Sequence, residues 1–272
     1  MKKKVEFDSL KKSKINSLYK YSRFDIKNHY QDLLNNILYF PTISQLNDPF
    51  DSQISIKYEL CPDDELDKLI IRTIPNYDEK NFMHQLKRIN AKTDIKMNPN
   101  KIEERLFGFI ENRVGIFALA ERRDNLLLWS HYSDNHRGFC LEFDAQKLYN
   151  LLIEVFYNQN VKAFIFKVKY QDDYPILIPQ IGNSEERLQK QFLIKSNDWR
   201  YEQEWRILVL DGVRRNIIDQ GYFKNIYFGL NTSDENMKTS IDILRKSNPK
   251  IGLYKAVKKK DAFGLNFNEI NV

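Results

Sequence analysis

Residues 195–210 read KSNDWRYEQEWRILVL, and the alternation that begins at Tyr201 decides what fold to expect. In a β-strand successive side chains point to opposite faces, so Tyr201, Gln203, Trp205 and Ile207 would share one face and Glu202, Glu204 and Arg206 the other. The first face is apolar enough to enter a core. The second carries two carboxylates whose Cβ atoms would lie roughly 7 Å apart by strand geometry. Alternation alone admits two accounts of that face. It is either the wetted side of an edge strand, or a rigid acidic edge lining a cleft, where one carboxylate steadies a developing cation and the other orients a nucleophile.

Outward from this stretch, SEERLQKQFLIKS (184–196) reads as a helix feeding the strand, and KAFIFKVKYQ (162–171) as a strand of nearly strict alternation. VGIFALAE (114–121), GFCLEFD (138–144), KNIYFGL (224–230) and IGLYKAVKK (251–259) also read as strands. NLLLWSHYSDN (125–135) is a compact loop or short helix, AQKLYNLLIEVFYN (145–158) a helix, and residues 233–247 a helix. At the other end, SLYKYSRF is a strand from Ser17, IKNHYQDLLNN a helix, and ILYFPT a strand. ISIKYEL (54–60) alternates as a strand, and about 62–113 reads as two or three charged helices with a polar break at AKTDIKMNPN. Strands and helices do not alternate regularly enough for a doubly wound sheet. The expectation is an α+β fold: a single domain over 1–272 with a mixed or antiparallel split sheet, flanking helices, and a helical insertion at about 62–113.

Composition narrows the function classes. The 272 residues can bury a substantial core. Glycine loops are scarce, with nine glycines and neither GxGxxG nor GxxxxGK[ST], which argues against nucleotide folds built on them. Two unpaired cysteines, Cys61 and Cys140, suggest neither a disulfide scaffold nor a zinc ribbon, so a cytoplasmic setting is expected. The start MKKKVEFDSLKKSK lacks the apolar stretch of a signal peptide, and no apolar run is long enough to span a bilayer, so no membrane association is expected. A formal charge of +6, with lysines clustered at both ends, permits a polyanionic partner without requiring one.

Three further clusters could carry chemistry. LYKYSR (18–23) puts Lys20 on the face opposite Tyr19 and Tyr21, where it could meet a phosphate or ribose hydroxyl. RDNLLLWSHYSDNHRGFCLEFD (123–144) gathers Trp129, His131, Tyr132 and His136 before a strand; its rings could stack on a nicotinamide or adenine, or pin the loop to the core. His131 and His136 match no common ligand spacing, so no metal is expected there. Cys140 reads as a small buried side chain rather than a nucleophile. The acids of NDPFD fit a capped turn.

Taken in order, LYKY, LYFPTISQLNDPFD, NLLLWSHYSDNHRGFCLEFD and YEQEWRI resemble a widespread family of uncharacterised bacterial proteins met in mobile and defence-associated gene sets, over about Leu18 to Leu230. More distantly, the chain resembles ADP-ribosyltransferases of the toxin and DNA-modifying kinds. These open with a strand that holds NAD, present a Ser or Tyr on a middle strand, and end on a strand with a catalytic Glu, often within Glu-x-Glu. Leu18-Tyr19-Lys20-Tyr21-Ser22 looks like the first element, with Lys20 where that family has His or Arg and Arg23 nearby. Tyr39 in ILYF and Tyr132 in WSHY are both candidates for the middle element. Glu202-Gln203-Glu204 looks like the last.

The resemblance implies an ADP-ribosyltransferase-like fold with NAD as co-substrate and no metal. Glu204 would stabilise the positive charge that develops on the ribose, and Glu202 would orient or deprotonate the acceptor. Tyr19, Lys20, Tyr21, Arg23, Tyr39, Trp129, His131 and Tyr132 would bind NAD. The expected function is a toxin or anti-phage effector modifying an RNA or DNA base or a protein, with an antitoxin or defence-operon protein as possible partner. The alternatives are an NAD glycohydrolase, a non-catalytic sensor that binds nucleic acid or another ligand, and, further off, a metal-dependent nuclease using Glu142, Asp144 and the NDPFD acids.

Overall fold

A computed structural model describes residues 10, 13–24, 29–53, 55–111, 113–151, 156, 161–179, 184–210, 215–217 and 222–270. Lys2, Lys3, Lys4, Lys11 and Lys12 of the basic start, the first residues of the IKNHYQDLLNN helix and the end of AQKLYNLLIEVFYN lie outside them. The strands are β1 (Ser17–Ser22), β2 (Ile37–Tyr39), β3 (Ser55–Ile56), β4 (Gly115–Ala120), β5 (Phe139–Asp144), β6 (Ala163–Lys167), β7 (Lys169–Gln171), β8 (Ile176–Leu177), β9 (Ile194–Ser196), β10 (Glu204–Val209), β11 (Arg215–Ile217), β12 (Phe223–Phe228), β13 (Gly252–Lys258) and β14 (Leu265–Glu269). The helices are α1 (His29–Leu34), α2 (Asp63–Ile71), α3 (Phe82–Met97), α4 (Pro99–Glu111), α5 (Leu126–Tyr132), α6 (Ala145–Leu151), α7 (Ser184–Phe192) and α8 (Asp234–Ser247).

The chain forms two compact units. One comprises 1–42, 113–168 and 198–272, and the other 43–112 and 169–197. The first is a mixed α/β unit built on an eight-stranded sheet in the order β14-β13-β12-β5-β1-β4-β10-β6. All neighbours are antiparallel except β12 and β13. One sheet face carries the main core, in which Leu18, Phe117, Leu119, Leu141, Trp205 and Ile207 pack with Leu34 of α1, Leu148 of α6 and Leu244 of α8. Helix α8 starts where Ser233 accepts a hydrogen bond from the Asn236 amide, with Asp234 and Glu235 in its first turn, a favourable cap and charge order. The other face holds a smaller cluster of Tyr19, Tyr21, Ala120, Cys140 and Tyr227 under Leu128 and Trp129 of α5.

The join between β1 and β4 is thin. β1 pairs with β5 along all six of its residues but with β4 only through Tyr19 and Ala120.

The second unit packs Ile56, Tyr58, Cys61, Leu66, Ile70, Ile95 and Leu177 into its own core among α2, α3 and two small ribbons. Its buried Asp51 carboxylate faces the Lys195 ammonium at 3.6 Å. The helices expected at about 62–113 are α2, α3 and α4, and the break expected in AKTDIKMNPN falls near its end, at Asn98 between α3 and α4. α3 runs through to Met97 because the Asn81 side chain caps its start and no breaker intervenes before Asn98. ISIKYEL keeps two strand residues before a 3-10 turn at Tyr58–Leu60. KAFIFKVKYQ divides at Val168 into β6 and β7, which belong to different sheets.

Candidate active site

The stretch 195–210 is not one strand. Asn197–Glu202 is a 3-10 helix, Gln203 takes a left-handed φ of 47°, and the strand begins at Glu204. Glu202 therefore lies on a turn rather than two residues along the same pleat as Glu204, and the uniform alternation expected from Tyr201 is corrected. The wetted-edge account also fails. β10 runs between β4 and β6 with all six residues buried. Glu204 and Arg206 do share a face, and they form a buried bidentate pair. Arg206 Nε donates to Glu204 Oε1 at 2.7 Å and Nη2 to Oε2 at 3.1 Å, with Glu204 5% and Arg206 1% exposed. Two parallel charge-assisted bonds hold the carboxylate in one orientation.

Register places this pair relative to β1. Glu204 and Tyr19 both pair with Ala120, so all three share a face, with Glu204 and Tyr19 roughly 10 Å apart across two strand spacings. The next β4 residue on that face, Ala118, pairs with Arg206 and is partly exposed. Only the small side chains of Ala118 and Ala120 stand between β10 and β1 on that face, and Ala120 is buried with Leu128 and Trp129.

Lys20 enters from the other face and closes the thin join. Its ammonium donates to the Ala118 carbonyl at 3.0 Å and lies 4.7 Å from the centre of the Phe117 ring. Burial lowers its pKa to about 8, against the opposing pull of Glu204 and then Glu202. Glu202, 5% exposed, accepts a 2.5 Å hydrogen bond from the Tyr132 hydroxyl at the end of α5. Nearby, the exposed His131 ring packs against Tyr132 and Tyr201. Asn125 organises this corner: its side chain accepts from the amides of Leu127 and Leu128 to start α5, and donates to the Tyr201 carbonyl.

Lys20, Tyr132, Glu202 and Glu204 thus come together, while other candidates are placed differently. Tyr21 is buried with its hydroxyl on the Arg122 carbonyl, and burial pushes its pKa up. Trp129 is fully buried, edge-on to Tyr21, with its indole N–H on the Arg123 carbonyl, so it packs the loop and offers no ring to a ligand. Tyr39 lies in β2, paired with Arg215 outside the large sheet, and Arg23 is exposed just beyond β1. Tyr19 is buried, with Arg123 Nη1 3.4 Å from its hydroxyl. Cys140 is buried and its thiol pushed well up by burial. Glu142 is engaged by Ser17, Asn225 and Tyr227, and Asp48 caps its own turn by accepting from the Phe50 amide. Among the described residues no group of three or more His, Cys, Asp or Glu is placed to hold a metal ion, and no helix is long and apolar enough to cross a membrane.

Sequence reasoning missed Arg206, which looked like a decoration of the acidic face, and Arg123, whose surroundings come from distant segments. The pattern Glu-x-Arg at strand spacing was the available signal for the first.

The first unit is, then, a mixed α/β fold with a charged cluster at a thin join in its sheet. Residues 128–207 match the model of a family described as a protein of unknown function (DUF2971). That span includes Trp129, His131, Tyr132, Glu202, Glu204 and Arg206, and leaves out β1. Comparisons with curated proteins and with solved structures return no match.

Proposed function

We propose that the chain is an NAD-dependent ADP-ribosyltransferase of ADP-ribosyltransferase-like fold, an effector that modifies a nucleic-acid base or a protein. The observation that carries the reading is the meeting of Lys20, Tyr132, Glu202 and Glu204 where β1 and β4 barely pair. The first sequence element and the last, about 180 residues apart in the chain, reach one place. NAD supplies a ribose that becomes electron-poor as nicotinamide leaves. Glu204, held still by Arg206, offers fixed negative charge to that centre. Glu202, oriented by Tyr132, is the group to receive the acceptor's proton. Lys20, reaching the join from the opposite face, places positive charge behind the two carboxylates, and the half-buried Tyr201 and the exposed His131 supply rings for stacking. The net charge of +6 suits a polyanionic acceptor.

Labelled NAD incubated with the protein and RNA, DNA or protein acceptors provides the test. Transfer should fall at least about a hundredfold in Glu204→Gln and in Glu202→Gln, with both variants still unfolding cooperatively in urea. Undiminished transfer by a folded Glu204→Gln would refute the assignment. Free ADP-ribose as the sole product, whatever the acceptor, would reassign the chain as an NAD glycohydrolase.

A further inference from the structure

We propose that the cavity beside Tyr19 binds the phosphate oxygens of a ligand, with Arg123 as the residue that grips them. The cavity, about 350 Å³, is lined by Tyr19, Glu121, Arg122, Arg123, Asp124 and Phe267, with Leu265 and Asn266 completing it. Its volume falls at the small end of ligand pockets, enough for a small anion or one part of a larger ligand.

The charges in its wall are spoken for, with one exception. Asp124 is bound bidentately by Arg122. Glu121 is paired with Lys167 at 2.5 Å and accepts from the Trp205 indole. Among the described residues Arg123 has no carboxylate within ion-pair distance. Its guanidinium lies instead 5.1 Å from the Tyr227 ring centre and 5.6 Å from that of Phe267. Ring faces hold a guanidinium by its plane and leave its N–H edge to bond in the plane, the geometry that suits paired phosphate oxygens.

The backbone beneath is fixed. The Trp129 indole donates to the Arg123 carbonyl at 2.7 Å, and the Tyr21 hydroxyl to the Arg122 carbonyl at 2.8 Å. A cation that is exposed, oriented and without a carboxylate at ion-pair distance, its nearest carboxylates Asp124 and Glu142 being engaged by Arg122 and by Ser17, Asn225 and Tyr227, is a preorganised anion site at the wall of a cavity. Phosphate oxygens could come from a dinucleotide donor or from a nucleic-acid backbone. The site stands whether or not the chain transfers ADP-ribose.

Isothermal titration of the whole protein with inorganic pyrophosphate, with ADP-ribose and with a short single-stranded RNA tests it. Pyrophosphate should bind, more weakly as salt rises. Its affinity should drop about tenfold or more in Arg123→Gln and by less in Arg123→Lys, which keeps the charge but not the fork. Lys246→Gln, an exposed change on α8, should leave it unaltered. Tighter binding of ADP-ribose than of pyrophosphate, lost in Arg123→Gln, assigns the site to a dinucleotide; the same pattern with RNA assigns it to a nucleic-acid backbone. No binding of pyrophosphate by the wild type, or binding that survives Arg123→Gln, would overturn the proposal. Arg123-dependent binding without any consumption of NAD would preserve it while removing the transferase.

Discussion

Replacing Lys20 by methionine should change how the stability of the protein depends on pH. In the fold its ammonium titrates near 8 rather than at 10.5, because burial strips its hydration and Glu204 and Glu202 offset that only in part. Below pH 8 folded and unfolded chains both hold the proton, and the fold bears the whole cost of keeping the charge. Between about 8 and 10.5 the folded chain has released the proton while the unfolded chain retains it, so stability rises with pH. Above that range neither state is charged and the penalty is gone. The difference corresponds to about 3 kcal/mol, recovered at no more than about 1.4 kcal/mol per pH unit. Methionine keeps most of the apolar stem of the side chain but has no ammonium to lie over Phe117 and cannot titrate. It also loses the bond to the Ala118 carbonyl, which shifts its stability by an amount independent of pH. Urea unfolding of both proteins from about pH 7 to pH 10 should therefore show the wild type gaining about 2.5 kcal/mol relative to the variant, the remainder lying above pH 10. Parallel curves would show that Lys20 does not hold a desolvated charge at the join.

Tyr132→Phe should cost about 1.5–3 kcal/mol in urea unfolding, since it strips a donor from the buried Glu202 carboxylate. Combined with Glu202→Gln it should show clear coupling in a double-mutant cycle, and simple additivity would mean the bond is not made. Gly229→Ala should cost about 3 kcal/mol, because the new Cβ would lie 2.2 Å from the His136 carbonyl oxygen, which belongs to backbone. A lower urea midpoint at unchanged slope is the expected result.

Much of the large sheet was legible from the chain. β1, β4, β5, β10, β12 and β13 each announce themselves through β-branched and aromatic runs bounded by polar turns, and α8 through its Ser233 start. β14 was not, because LNFNE is short and mostly polar, and it becomes a strand by adding to the edge of β13. The turn at Gln203 was illegible for a different reason. A left-handed glutamine carries no compositional mark, and the 3-10 helix before it has the same alternating letters as a strand. At the site, the sequence singled out Lys20, Tyr132, Glu202 and Glu204 by residue type. It could not show that Trp129 would be core while Tyr132 reaches a carboxylate, since the two lie three residues apart on one helix. Arg123 gave no signal because its neighbours Tyr227 and Phe267 are more than a hundred residues away.

The single pair between β1 and β4 bears on cooperativity. The ladders β14-β13-β12-β5-β1 and β4-β10-β6 are each continuous, but only Tyr19 and Ala120 stitch one to the other. A ladder is the main route by which opening at one strand forces opening at the next. The sheet is accordingly two hydrogen-bonded ladders sharing a border, joined through the core that both bury and by the ammonium of one lysine on the Ala118 carbonyl. Local opening along that border would part Tyr19 from Glu204 while leaving both ladders intact.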